Sequence, residues 1–187
     1  VGKTYSLKVQ LNGKIYLSST QIVNPTPLDS VYWKQDPGAN PGHGYSWARL
    51  TDPAVGFDAY LWQVKRINMV DGQTKDPNFK TTFSPVFDDE FFNGETFDFS
   101  YENPFTWDDE SVEDADKGYY KQGDSVVIKL SKIDADVYGF LEKKYIQLGT
   151  AGNPFASPTT IPTNILGGAI GLWAGYSPTF DTLYCVP

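Results

Sequence analysis

Cysteine and histidine each occur once in the 187 residues, as Cys185 and His43. A single thiol cannot close an intramolecular disulfide, and one thiol with one imidazole cannot assemble a Cys/His zinc site. No run of 18 apolar residues is present, so a membrane-spanning helix is not expected. The start at Val1 shows neither a charged leader nor an apolar signal core and reads as a mature or trimmed chain. Cations are scarce: Lys+Arg 15 stand against Asp+Glu 23, for a net charge of -8. That balance repels phosphate backbones and anionic lipid, so nucleic acid is not an expected partner. There is no Gly-x-Ser-x-Gly nucleophile elbow and no repeat of solenoid length.

Aromatic residues, by contrast, are abundant, with 12 Tyr, 12 Phe and 5 Trp. Gly 17 and Pro 13 are spread between short apolar runs, the mixture expected of many short strands joined by tight turns. Tyr5, Leu7 and Val9 alternate on one face before Asn12-Gly13, and an extended pattern resumes at Lys14, which predicts a hairpin. Further strands are expected around Val31 to Gln35, from Tyr45, and over Phe57 to Asn68. Three more are expected around Phe97 to Tyr101, around Val126 to Leu130 and over Thr179 to Val186. The turn-rich stretch 36–44 reads as a linker between a hairpin-containing region, 1–35, and a β-rich domain, 45–187. One segment changes period: Val137, Phe140, Leu141, Tyr145 and Leu148 fall on one helical face, with Ser131 or Asp134 as cap and Gly149 at the end. The expected fold class is mainly β, an antiparallel sandwich or partly closed barrel with one short helix around Asp134 to Leu148. The glycine-rich segment Asn164 to Tyr176 reads as a buried strand entered through a tight turn, where side chains at Gly167, Gly168 and Gly171 would obstruct.

Candidate chemistry is thin. The run 107–116 holds six carboxylates without a cation, a density that suits calcium, but it lacks the alternating acids, central glycine and distal glutamate of an EF-hand loop. A solvated loop is the simpler reading, and no metal or other cofactor is assigned. Asp88-Asp89-Glu90 is a weaker candidate still. His43, in a flexible polar stretch, has no evident nucleophile, so no catalytic residue is assigned. Cys185, in an apolar strand, reads as an inert thiol. Paired carboxylates can hydrolyse a glycosidic bond, but 23 acids always supply some pair. Trp33, Trp47, Trp62, Trp107 and Trp173 fit either sugar platforms or a sandwich core, with alternation placing Trp62 in the core. Trp107, with Tyr119 and Tyr120 nearby, is the best candidate for ligand contact.

Several landmarks, in order, resemble an uncharacterised family of Bacteroidetes surface lipoproteins known as a domain of unknown function. They are Gly2 to Val23 with its Asn-Gly hairpin, Leu50-Thr-Asp-Pro53 with Tyr60, Phe87-Asp-Asp-Glu-Phe-Phe-Asn-Gly94, Gly123 to Ile133 with Tyr138, and Asn153-Pro154-Phe155 leading into Asn164-Ile-Leu-Gly-Gly168. The resemblance implies a surface-exposed outer-membrane protein, held by a lipid anchor this chain does not carry and often encoded beside a TonB-dependent receptor. It also implies an immunoglobulin-like first domain, of which 1–35 would be a remnant, and supplies no catalytic residues. The expected function is therefore non-enzymatic: an accessory or binding lipoprotein partnered by a TonB-dependent receptor or another envelope protein, with a glycan or peptide as further ligands. One alternative is a carbohydrate-binding module with calcium in loop 108–116; the other is a carboxylate-dependent glycosidase.

Overall fold

The computed structural model describes residues 1–157 and 159–186. Hydrophobic alternation builds twelve strands, which hold about 41% of the residues. β1 (Lys3–Leu11) and β2 (Lys14–Ile22) form an antiparallel hairpin through Asn12 and Gly13, whose φ values of 50° and 77° are the left-handed pair that a two-residue turn demands. β3 (Ser30–Gln35) pairs with β4 (His43–Thr51), and β9 (Thr96–Tyr101) and the short β10 (Tyr120–Lys121) share the other edge of β4. β5 (Ala59–Arg66), β8 (Val86–Asp88), β11 (Ser125–Ile133) and β12 (Ser177–Tyr184) make a second antiparallel sheet in the order β12-β11-β5-β8. β6 (Met69–Val70) and β7 (Gln73–Thr74) form a small separate ribbon.

The two four-stranded sheets pack face to face as an open sandwich and do not close into a barrel. Leu50 and Ala48 of β4, with Val31, Trp33, Phe97, Phe99 and Tyr101, meet Tyr60, Trp62 and Val64 of β5 and Val126, Ile128 and Leu130 of β11. Strict alternation puts these residues inward and leaves polar or amphipathic ones outward, as a half-buried antiparallel sheet requires. Cys185 is completely buried in this core, and burial pushes its thiol up to about 12.

The opposite face of the second sheet is covered by the helix α1 (Ala135–Gly149), which seats Val137 and Leu141 on Ala59, Leu61, Val86 and Ile133. Asp134 caps it by accepting the Val137 N–H at 2.9 Å, as its position before the apolar face predicts. The same carboxylate also accepts the Thr20 hydroxyl at 2.8 Å and the Gln21 N–H at 3.0 Å, which ties the hairpin to the helix.

Two expectations do not hold. The stretch 36–44 is not a linker between separate units, because β3 and β4 are hydrogen-bonded neighbours and the stretch turns between them, with His43 and Gly44 already in β4. The element that stands apart is the hairpin β1–β2, a two-stranded sheet of its own. Nor is Asn164 to Tyr176 a buried strand. Only Leu166 makes a bridge, to Leu17 at the edge of β2, and Leu166, Gly167, Gly168 and Ile170 are exposed.

Side chains rather than a ladder hold this segment: Asn164 accepts the Trp173 N–H at 2.9 Å and donates to the Trp173 carbonyl at 2.7 Å, closing it into a loop. Leu166 bridges the free edge of the hairpin while Leu172 and Ala174 pack on the core beneath α1, so periodicity could not tell the segment from a core strand. The obstruction expected of a side chain is clearest at Gly167. Gly167 has φ 103°, and a Cβ there would fall well inside contact distance of the Ile15 carbonyl oxygen. Gly167→Ala is therefore expected to cost about 2 kcal/mol, measured by urea denaturation. Gly168→Ala, with φ 88° but open space around it, should cost less, about 1 kcal/mol.

Candidate functional site

Between β9 and β10 the chain makes a long loop that contains the acidic run. Its neck is closed by Asn103, whose backbone N–H donates to the Gly118 carbonyl at 3.0 Å and whose side chain donates to the Tyr119 carbonyl at 3.2 Å. The run is not a bare cluster of acids. Lys117, just beyond it, folds back with only 6% of its side chain exposed, donating to the Trp107 carbonyl at 2.7 Å and to Asp114 at 2.9 Å. Asp109 is occupied locally by the Ser111 hydroxyl and N–H, which hold its carboxyl below the ordinary range. An internal ammonium thus organises this loop.

Under the loop lies a cleft of about 760 Å³, lined by Arg66, Lys75, Phe79, Phe105, Tyr119 and Lys121 among others. A neighbouring hollow of about 510 Å³ shares Phe105 and adds Phe83 and Trp107. Phe105 and Trp107 meet edge to face at 4.8 Å, and Trp107 is 79% exposed. The cations around the cleft are each ion-paired: Arg66 and Lys80 share Asp76, Lys75 meets Asp124, Lys117 meets Asp114, and Lys121 meets Asp116. Such a wall offers hydrogen bonds and aromatic surface more than net charge.

His43 is not the free loop histidine that its flanking glycines suggest. It opens β4, its side chain is 12% exposed, and Nε2 lies 2.7 Å from Asp116 while Nδ1 lies 3.3 Å from the Pro41 carbonyl. Asp116 also receives Lys121, and the hydrogen bonds from Lys121 and then His43 hold its carboxyl below the usual range. Both ring nitrogens face oxygens, and among the described residues no hydroxyl or thiol is hydrogen-bonded to the imidazole.

Tyr119 connects the cleft to a row of aromatics on the outer face of the first sheet. Its ring is 5.2 Å from Tyr45 and 5.8 Å from His43. The hydrogen bond with Tyr119 raises the Tyr45 hydroxyl well above its ordinary value, with burial adding to it. Farther along the face, Tyr32 and Trp47 stack at 6.2 Å and 16°, and Lys34 Nζ sits 4.2 Å over the Trp47 ring. Alternation along β3 and β4 produces this row: Val31, Trp33, Ser46 and Ala48 turn inward, so Tyr32, Lys34, Tyr45 and Trp47 must turn outward.

Of the three residues expected to contact ligand, the structure brings Trp107 and Tyr119 to adjoining cavities. Tyr120 is elsewhere. It pairs with Gly44 in β10 and is completely buried in the core, because successive residues of an extended chain face opposite ways. Trp47, which by sequence fits either a sugar platform or a core, lies on the outward face in a row with Tyr32 and Lys34 that sequence does not assemble. The alternation was visible, but nothing in the pattern says which face of β4 is covered.

A second polar constellation takes Asp89 from the weak candidate Asp88-Asp89-Glu90 and groups it with two aspartates that sequence did not connect to it. Asp52, Asp58 and Asp89 are all buried, and one carboxylate oxygen from each lies within 4.8 Å of the others. They follow β4, precede β5 and follow β8, far apart in sequence and converging only because the two sheets meet there. Asp52 accepts the Tyr60 hydroxyl at 2.7 Å and the Gly94 N–H at 3.2 Å, and Asp58 pairs with the buried Lys132 at 2.6 Å.

Comparison with known families supplies the remaining fact: the domain of unknown function DUF4249 matches residues 1–180. The chain belongs to that family. No curated protein and no solved structure matches the chain. DUF4249 membership accounts for the order of landmarks from Gly2 to Gly168, and it assigns no role to any of them.

Proposed function

We propose that this DUF4249 chain is a non-enzymatic binding protein of the bacterial cell surface. In this reading it is lipid-anchored at the outer membrane of Bacteroidetes and works beside a TonB-dependent receptor. The landmarks that resemble such lipoproteins support the setting. The binding role rests on one observation: the hollow at Trp107 adjoins, through Phe105, the cleft lined by Tyr119, whose ring meets Tyr45 in the outward row with Trp47 and Tyr32. Exposed aromatics on rigid strands beside a loop-walled cleft are the common form of a recognition surface.

The hydrolytic alternative has less support. A glycosidase needs one carboxyl raised enough to act as an acid, whereas Asp109 and Asp116 at the cleft are both held low. The test is affinity capture from native outer membranes with the immobilised chain. Recovery of a TonB-dependent receptor is expected, with about a tenfold lower yield for the double variant Trp107→Ala, Tyr119→Ala. Equal recovery with both proteins would move the interface away from the cleft, and no recovery would overturn the accessory role.

The carbohydrate-binding reading is favoured by one specific feature, the nearly parallel Tyr32 and Trp47 rings with Lys34 beside them. Flat aromatic surface of this kind can stack on a pyranose face. A glycan array in which Trp47→Ala abolishes binding would establish that reading. An array without binding would remove it.

A further inference from the structure

We infer that Asp52, Asp58 and Asp89 form a binding site for one calcium-class divalent cation at the end of the sandwich, where β4, β5 and β8 converge. Charge gives the first argument. Three carboxylates are withdrawn from water with exposures of 3%, 6% and 3%, and Lys132 is the one cation paired with them among the described residues. Three negative charges against one ammonium leave two uncompensated, the charge of one divalent ion. Buried carboxylates without such compensation are among the costliest features a fold can carry.

Unmet bonding capacity gives the second, independent argument. Asp58 Oδ2 and Asp89 Oδ2 are fully buried and receive no hydrogen bond. A carboxylate oxygen in a protein interior ordinarily finds a donor, so two orphaned oxygens in one cluster indicate that something else satisfies them. Asp52, by contrast, is oriented by Tyr60 and Gly94, and each of its oxygens retains a further lone pair.

Spacing lets one ion reach all three groups. Oxygens on opposite sides of one calcium stand about 5 Å apart, twice the metal–oxygen distance. One oxygen from each of the three carboxylates lies within 4.8 Å of the others, so a single calcium-sized ion can touch them all. All-oxygen ligation excludes the soft metals that prefer sulfur and imidazole. Placement then explains what the ion does. It joins the exit of β4 in one sheet to the entrance of β5 and the exit of β8 in the other, closing the end of the core without a disulfide. The acidic loop carries no such argument, since among the described residues none of its carboxylate oxygens is buried without a partner.

The full chain, stripped with EDTA and returned to chelator-treated buffer, tests this with calcium chloride as the probe. Native mass spectrometry should record one added calcium per chain, and about 1 mM calcium should raise Tm by about 5 °C or more. Asp89→Asn should fold, because it removes a buried charge, and should lose the calcium-dependent rise. A loop variant, Asp109→Asn with Glu113→Gln, should keep both the ion and the rise. Absence of a bound ion and of a Tm response in the wild-type chain would overturn the site in favour of protons shared among the carboxylates. Loss of the ion in the loop variant alone would overturn it in favour of residues 108–116. Should Asp89→Asn not fold, the wild-type and loop-variant measurements still decide.

Discussion

Trp62→Ala will destabilise the protein by about 4 kcal/mol and lower Tm by about 8–16 °C. Trp62 is completely buried in the middle of β5, between the two sheets. Its ring stacks on Tyr101 at 5.0 Å and 29° and meets Phe99 edge to face at 5.5 Å. Alanine would leave a void bounded by rigid strands on both sides, which cannot collapse to fill it, so the lost transfer energy and the cavity term add. Trp62→Phe should cost far less, about 1–2 kcal/mol. It keeps a ring against Tyr101 and Phe99 and deletes an indole N–H that has no acceptor in the core. Urea denaturation of the two variants measures the contrast, and similar losses for both would show that the indole's size is not what the core requires.

That core was legible because period-two alternation is a local property of the chain. Tyr60, Trp62 and Val64, and likewise Val126, Ile128 and Leu130, announce an inward face whatever lies opposite. The helix was legible for a similar reason, down to the capping carboxylate of Asp134. What failed was whatever depends on neighbours distant in sequence. Ile165, Leu166 and Ile170 have the composition of a core strand, yet they belong to a loop closed by Asn164 and bridged to the hairpin at Leu17, a pairing no window of sequence contains. Tyr119 and Tyr120 look alike as neighbours, and only the register of β10 against Gly44 decides that one faces the cleft and the other the core. The site divides along the same line. Trp107 was legible as exposed from the polar chain around it. Asp52, Asp58 and Asp89 were not legible as a group, because each alone is an ordinary turn aspartate and only the meeting of two sheets makes them a cluster.

Asp76→Asn carries the other large effect, about 3 kcal/mol at neutral pH. Asp76 is 3% exposed at the rim of the cleft and accepts Arg66 through both oxygens, Nε at 2.8 Å and Nη2 at 3.0 Å, together with the Arg66 backbone N–H at 2.9 Å. Lys80 adds an ion pair at 2.8 Å, worth little because its side chain is 44% exposed. Burial alone would raise the Asp76 carboxyl, but the Arg66 and Lys80 hydrogen bonds overcome it and hold the group well below the usual carboxylate range. Asparagine would turn an amide donor toward Arg66 or Lys80 and leave the guanidinium, only 18% exposed, short of its counter-charge. The sign of the pH dependence follows. A carboxyl whose folded value lies below its unfolded value of about 3.9 contributes in full above that pH and loses its contribution as pH falls toward the folded value. The gap between wild type and Asp76→Asn should therefore be constant from pH 7 down to about 5 and should narrow below about 4. Urea denaturation from pH 7 to 3 measures it, and a gap that does not narrow in acid would show that Asp76 acts through packing rather than through its charge.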